Sequence, residues 1–136
     1  MSKVNEEEKI LKTCRTVAVV GLSPKSERAS FRVAAYLKEQ GYKIVPVTPW
    51  AKEILGEPCY PDLASVPEPM DVVDVFRRAE EVPPIVKEAI KIGAKAVWMQ
   101  EGVVNEEAAA QAKRAGLLVV MDRCILKEHR KLKRGR

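Results

Sequence analysis

The sequence predicts an α/β fold with a Rossmann-like, doubly wound, mostly parallel sheet in a single domain. Three observations carry this. Nearly continuous apolar runs recur along the chain, as in strands covered on both faces. Amphipathic helical stretches separate them, and a glycine closes each helix just before the next strand. Strand–helix–strand repeated this way means right-handed crossovers and a parallel sheet. The length of 136 residues suits one ordinary domain, and 46% apolar with 32% charged residues is a normal globular mix.

Residues 1–12 read as a short leading helix, with Val4, Ile10 and Leu11 on one face. Residues 17–20 form the first strand and end at Gly21. A helix follows over residues 30–40, with Val33, Ala34 and Leu37 facing inward, and then a strand over residues 43–48. Residues 56–60 read as a short extra strand, which Pro58 directs to an edge. Beside the second strand it would give the order 3-2-1-4-5-6. Pro46 counts against this, because it removes a ladder donor from a strand that would then not be an edge. Residues 71–76 are the next strand. Val82, Ile85, Val86, Ala89 and Ile90 then repeat at i, i+3, i+4, i+7 and i+8, one stripe of a helix. A strand over residues 96–99, a helix over residues 105–115 and a strand over residues 117–121 complete the pattern, and Gly41, Gly93 and Gly116 stop the helices. Residues 13–126 are thus expected to form the domain and residues 127–136 a basic tail.

Composition narrows the function. The net charge of +5 comes from residues 127–136, which hold six Lys/Arg and one Glu; the other 126 residues hold 18 of each sign. The body is neutral, and no aromatic residue interleaves the terminal charges, so the pattern does not point to sequence reading on a nucleic acid. No apolar run approaches the ~20 residues of a membrane helix. The first eight residues are polar and acidic, unlike a signal or transit peptide. Cys14, Cys59 and Cys124 form no C-x-x-C pair, which argues against structural zinc or a disulfide framework and favours a reducing cytoplasm. With His129 the only histidine, imidazole metal sites and Ser-His-Asp triads are not expected, and it could act as a base only if the tail folded back.

In an open parallel sheet, ligands bind beyond the carboxyl ends of the strands where the order reverses. The loop after the first strand offers Gly21 for a sharp turn, Ser23, Lys25, Ser26, Arg28 and Arg32 for donors and charge, and Ser30 as a helix N-cap suited to phosphate. The dinucleotide pattern G-x-G-x-x-G is absent. The second strand ends in Val47-Thr48-Pro49, with Lys52 beyond, where an NAD site would place a carboxylate for the ribose. A ligand phosphorylated on its ribose suits this end better. After the third long strand come Phe76, for packing against a base or an arm, and Arg77 and Arg78, for phosphate, one of which could instead pair with Glu80 or Glu81. Asp74, inside that strand, is expected to satisfy a neighbouring backbone group or arginine, and Trp98 to be core. The last loop brings Gln100 and Glu101 to the same edge, with Gly102 permitting close approach and Asn105 capping the next helix.

These loops resemble the CoA-binding domain family, the module also found at the start of the succinyl-CoA synthetase α subunit. The likeness runs from about Leu11 to Glu128 and is most specific in Val19-Val20-Gly21-Leu22-Ser23-Pro24, in the 41–49 stretch ending Thr48-Pro49, in Val72-Val73-Asp74-Val75-Phe76-Arg77-Arg78, in Val97-Trp98-Met99-Gln100-Glu101-Gly102 and in Val120-Met121-Asp122-Arg123-Cys124. The resemblance implies that the turn from Gly21 through Leu22 to Ser23 and the helix start at Ser30 take the phosphates of coenzyme A; Pro24, Lys25 and Arg32 are further candidate binding residues beside them. It implies that Thr48 and Pro49 border the adenosine, with Lys52 a partner for the 3′-phosphate, and that Phe76 and Arg77 flank the nucleotide, Arg78 being a candidate beside them. Gln100 would line the path of the pantetheine arm, with Glu101 a candidate binding residue next to it. The synthetase's second domain and its phosphorylated histidine have no counterpart here, so ligase activity is not implied.

The expectation is a cytoplasmic protein binding CoA or acyl-CoA without evident catalysis, with a homodimer as an open option. The alternatives are an NAD(P)-binding oxidoreductase, on fold analogy alone, and a nucleic-acid-associated protein using residues 127–136. Cys124 is either a small buried hydrophobe or a thiol placed to form a mixed disulfide with CoA.

Overall fold

The structure, a computed structural model, describes residues 5–135. The chain opens with α1 (Glu6–Thr13), β1 (Thr16–Val20), α2 (Ala29–Glu39) and β2 (Lys43–Val47). Two short strands follow, β3 (Glu53–Ile54) and β4 (Glu57–Pro58). The remainder is β5 (Val72–Val75), α3 (Val82–Lys91), β6 (Ala96–Met99), α4 (Glu106–Arg114), β7 (Leu118–Val120) and α5 (Ile125–Arg134). Five strands form one parallel sheet in the order β2-β1-β5-β6-β7, so the fold class read from the sequence holds. The winding reverses between β1 and β5, which places a crevice beyond Val20 and Val75.

Alternate residues of each strand serve opposite faces. Ala18, Val20, Val73, Val75, Val97 and Met99 pack toward α3 and α4, while Val17, Val19, Val72, Ala96 and Trp98 pack toward α1, α2 and α5. Both faces are dry, which is why the strands read as unbroken apolar runs. Trp98 is core, and its Nε1 donates to the Arg123 carbonyl at 2.8 Å, so its one polar atom is satisfied. Gly41, Gly93 and Gly116 all take positive φ just past the helices they terminate.

Four expectations change. Residues 56–60 do not make a full third strand: β3 and β4 form an antiparallel ribbon turned at Leu55 and Gly56, both with positive φ. Only Tyr60 reaches the edge of the sheet, through a single parallel bridge to Val47. Tyr60 N donates to the Pro46 carbonyl at 3.0 Å, so residue 46 turns its polar groups outward and its missing N–H costs the β1–β2 ladder nothing. Ser30 is not the cap of α2. Arg28 occupies that position without a side-chain bond, because a guanidinium has donors only and cannot accept from the helix N–H groups; its own N–H bonds the Lys25 carbonyl at 3.0 Å. Residues 127–134 of the expected basic tail belong to α5, which packs on α1 and α2. The leading helix spans Glu6–Thr13, capped by Asn5, and Val4 lies outside the described residues.

Candidate functional site

At the carboxyl edge of β1 the chain must reverse within one residue. Gly21 does this at φ +87°, donating its N–H to the Val47 carbonyl at 2.9 Å. A Cβ there would sit 2.5 Å from the Phe76 carbonyl oxygen and 2.8 Å from Arg77 Cδ, so only glycine fits against the end of β5. The following turn is braced from within. Ser23 N donates to the Ser30 hydroxyl at 3.0 Å, and Lys25 N to the Ser23 hydroxyl at 3.1 Å. The first turn of α2 carries no acidic residue and no capping side chain, whereas α1 and α4 have Asn5 and Asn105 caps followed by glutamates. Its free N–H groups and positive dipole end are left to an anion or to water.

Three adjoining clefts open along this edge. The middle one, about 650 Å³, lies over the turn and is lined by Gly21, Ser23, Lys25, Arg28 and Arg77. To one side a cleft of about 660 Å³ runs between Ala29, Val33, Phe76, Gln100, Val103 and Cys124. To the other, a cleft of about 450 Å³ is walled by Pro49, Trp50, Pro61, Leu63 and Ile85. Arg77 borders all three. The arrangement is a cationic centre between two largely apolar arms, able to hold a ligand with charge in the middle and apolar or aromatic ends.

Arg77 is held on two sides. Its Nε donates to Glu81 Oε1 at 3.1 Å and its Nη2 bonds the same oxygen, while its Cζ lies 4.9 Å from the centre of the Trp50 ring. Arg78 Nε donates to Glu81 Oε2 at 3.2 Å. Hydrogen bonds from Arg77 and Arg78 hold the Glu81 carboxyl below the usual carboxylate range. Gln100 is buried, and its Oε1 accepts from Ile125 N at 3.2 Å, which ties the floor of the large cleft to the start of α5. Glu101, at the mouth, pairs with Lys127 at 3.0 Å.

Most of the residues singled out in the sequence meet here: Gly21, Ser23, Pro24, Lys25, Ser30, Pro49, Phe76, Arg77, Arg78, Gln100 and Glu101 line one or other cleft. Four do not. Leu22 is core, packed with Val33 and Leu37. Thr48 is buried, its hydroxyl accepting from Trp50 N at 3.4 Å. The Arg32 guanidinium bonds the Glu27 carbonyl, and the exposed Lys52 borders none of the three clefts. Sequence reasoning missed Trp50, which is 58% exposed, although a tryptophan directly after a strand's carboxyl end was the available signal.

Asp74 departs from its expected role. It is fully buried between Val19 and Trp98 in the sheet register, and neither carboxyl oxygen has a hydrogen-bond partner among the described residues. No arginine or backbone donor reaches it because both faces of β5 are covered by apolar side chains. Burial without a partner pushes its pKa well above the usual carboxylate range.

Fold and edge together define a Rossmann-like α/β module with an elongated, centrally cationic cleft at its switch point. The chain belongs to the CoA binding domain family, whose model matches residues 15–130. It is 40% identical over 124 residues to the uncharacterized protein YneT of Bacillus subtilis, covering 91% of this chain and 92% of that protein. It is 28% identical over 121 residues to the ADP-forming acetate–CoA ligase I of Archaeoglobus fulgidus, where the match takes 82% of this chain but 18% of the ligase. The chain thus spans less than a fifth of that enzyme. Among solved structures, a hypothetical protein from Pyrococcus horikoshii superposes with a TM-score of 0.91 at 38% identity, covering 98% of this chain and 99% of that one.

Proposed function

We propose that this protein binds coenzyme A or an acyl-CoA along the carboxyl edge of its sheet, as a cytoplasmic binding protein rather than a ligase. The observation that carries this reading is the meeting of three clefts at Arg77. The diphosphate lies over the Gly21 turn, on the N–H groups that open α2 and among Lys25, Arg28 and Arg77. The adenosine occupies the cleft beside Pro49 and Trp50, and the pantetheine arm runs past Phe76 and Gln100 toward Cys124. The residues fit such a group in kind: cations where the phosphates fall, apolar walls where the arm falls, and the Trp50 ring with Pro49 and Ile85 where the base falls, the carboxylates of Asp62, Glu80 and Glu88 bordering the same cleft. The family membership and the likeness to an ADP-forming acetate–CoA ligase support the same ligand. Arg32 and Lys52 have no part in the diphosphate contact on this reading. Three unpaired cysteines favour a reducing compartment.

Isothermal titration with CoA, dephospho-CoA and NAD tests the proposal. CoA is expected to bind more tightly than NAD by at least about tenfold, roughly 1.4 kcal/mol. Equal or tighter binding of NAD would overturn it.

A further inference from the structure

Arg77 is the cation shared by all three clefts, yet its guanidinium is already occupied. Glu81 Oε1 takes both Nε and Nη2, Trp50 stacks on the group at 4.9 Å, and Arg78 holds the second oxygen of Glu81 at 3.2 Å. Glu81 sits at the junction of the 3₁₀ turn Ala79–Glu81 and α3, just before Pro83 and Pro84, so its backbone has little freedom to move with the side chain. On the other flank, Arg77 Cδ lies 2.8 Å from where a Cβ on Gly21 would sit, so the Arg77 stem packs directly against the turn.

We propose that Glu81 is a specificity-determining residue: an internal anion that occupies Arg77 in the empty site and yields it only to a ligand bearing phosphate at the Gly21 turn. This rests on the diphosphate reading above and adds a selection step to it. The Arg77 and Glu81 side chains are each about 30% exposed, at 28% and 30%, so the pair is partly wet and weak enough to exchange. A diphosphate offers the same planar fork more negative charge than one carboxylate does. A neutral ligand arm offers nothing, and leaves the Arg77–Glu81 pair intact. When Arg77 turns to phosphate, Glu81 keeps Arg78, so its charge is not stranded.

The test is Glu81→Gln, which keeps the shape and the acceptor oxygen but removes the charge. CoA and inorganic pyrophosphate are expected to bind the variant about three- to fivefold more tightly, with pantetheine binding unchanged. A purely structural Glu81 would instead weaken all three together. If the unmodified protein binds CoA while the folded variant binds it no more tightly, the inference is wrong and the CoA reading stands. If the unmodified protein fails to bind CoA, both fall. Should the variant not fold, the unmodified ¹⁵N-labelled protein decides. Its Arg77 Nε–H resonance, assigned with Arg77→Lys, is expected to shift with pyrophosphate and not with pantetheine. A resonance that pyrophosphate leaves in place would overturn the proposal.

Discussion

Gly21 carries two constraints at once, a left-handed φ of +87° and a space already filled by the Phe76 carbonyl. Gly21→Ala should therefore cost at least about 1–2 kcal/mol in chemical denaturation, from the backbone term alone, and the clash should push β5 away and abolish CoA binding by titration. Asp74 gives a prediction with a definite sign. Its folded pKa is raised by burial while the unfolded chain titrates in the usual carboxylate range, so above that range the native state holds a proton that the unfolded state releases. Stability from this group is fully present below the unfolded pKa and is lost as pH rises toward the folded one. Asp74→Asn should flatten that decline, measured as the difference in urea unfolding free energy between pH 5 and pH 8; an unchanged slope would show that Asp74 is not its source. At these positions the sequence was only partly legible. Phe76, Arg77 and the glutamate pairing of the arginines could be read from residue type and position. A serine opening a helical stretch has the pattern of a cap, whereas the Ser30 hydroxyl braces Ser23, a contact that no local pattern encodes. Asp74 looked like a residue in need of a partner, and the absence of one depends on how β1, β6 and the helices cover it.

α5 shows how composition can hide an element. Its cations gave residues 127–136 the look of a solvated tail, yet Ile125 is buried and Leu126 and Leu132 pack on the core, a stripe masked by long basic side chains that keep their heads in water. His129 Nδ1 lies 2.7 Å from the Tyr36 hydroxyl, with both Tyr36 and Tyr42 edge-on to its ring. A chain cut after residue 126 should lose several degrees in Tm and show increased accessibility of the core beneath α2, whereas an unchanged Tm would mean that the helix is not docked. Ile125→Ala alone should cost about 2–4 kcal/mol, because it opens a cavity against buried neighbours. The five long strands and their glycine stops were legible because burial on both faces leaves a simple apolar signature. The β3–β4 ribbon was not. Its turn puts Leu55 at φ +55°, a conformation that a leucine does not advertise.

The sheet supplies a rigid edge, two largely apolar arms and one cationic centre, and the ligand is expected to lie across several loops rather than in any one. Binding should then stabilise the whole fold: CoA at about a hundred times its Kd should add about 2.7 kcal/mol, read as a rise in Tm that pantetheine at the same concentration does not match. The opposite edge has its own cleft, of about 360 Å³, beside Arg15, Tyr42, His129 and Lys133, and this gives a built-in control for where the ligand goes. An amide chemical-shift titration with CoA separates the two ends of the sheet. Shifts concentrated at Gly21, Ser23, Ala29, Arg77 and Gln100 are the expected result. Shifts concentrated at Arg15, Gly41 and Lys133, with the Gly21 turn silent, would contradict it.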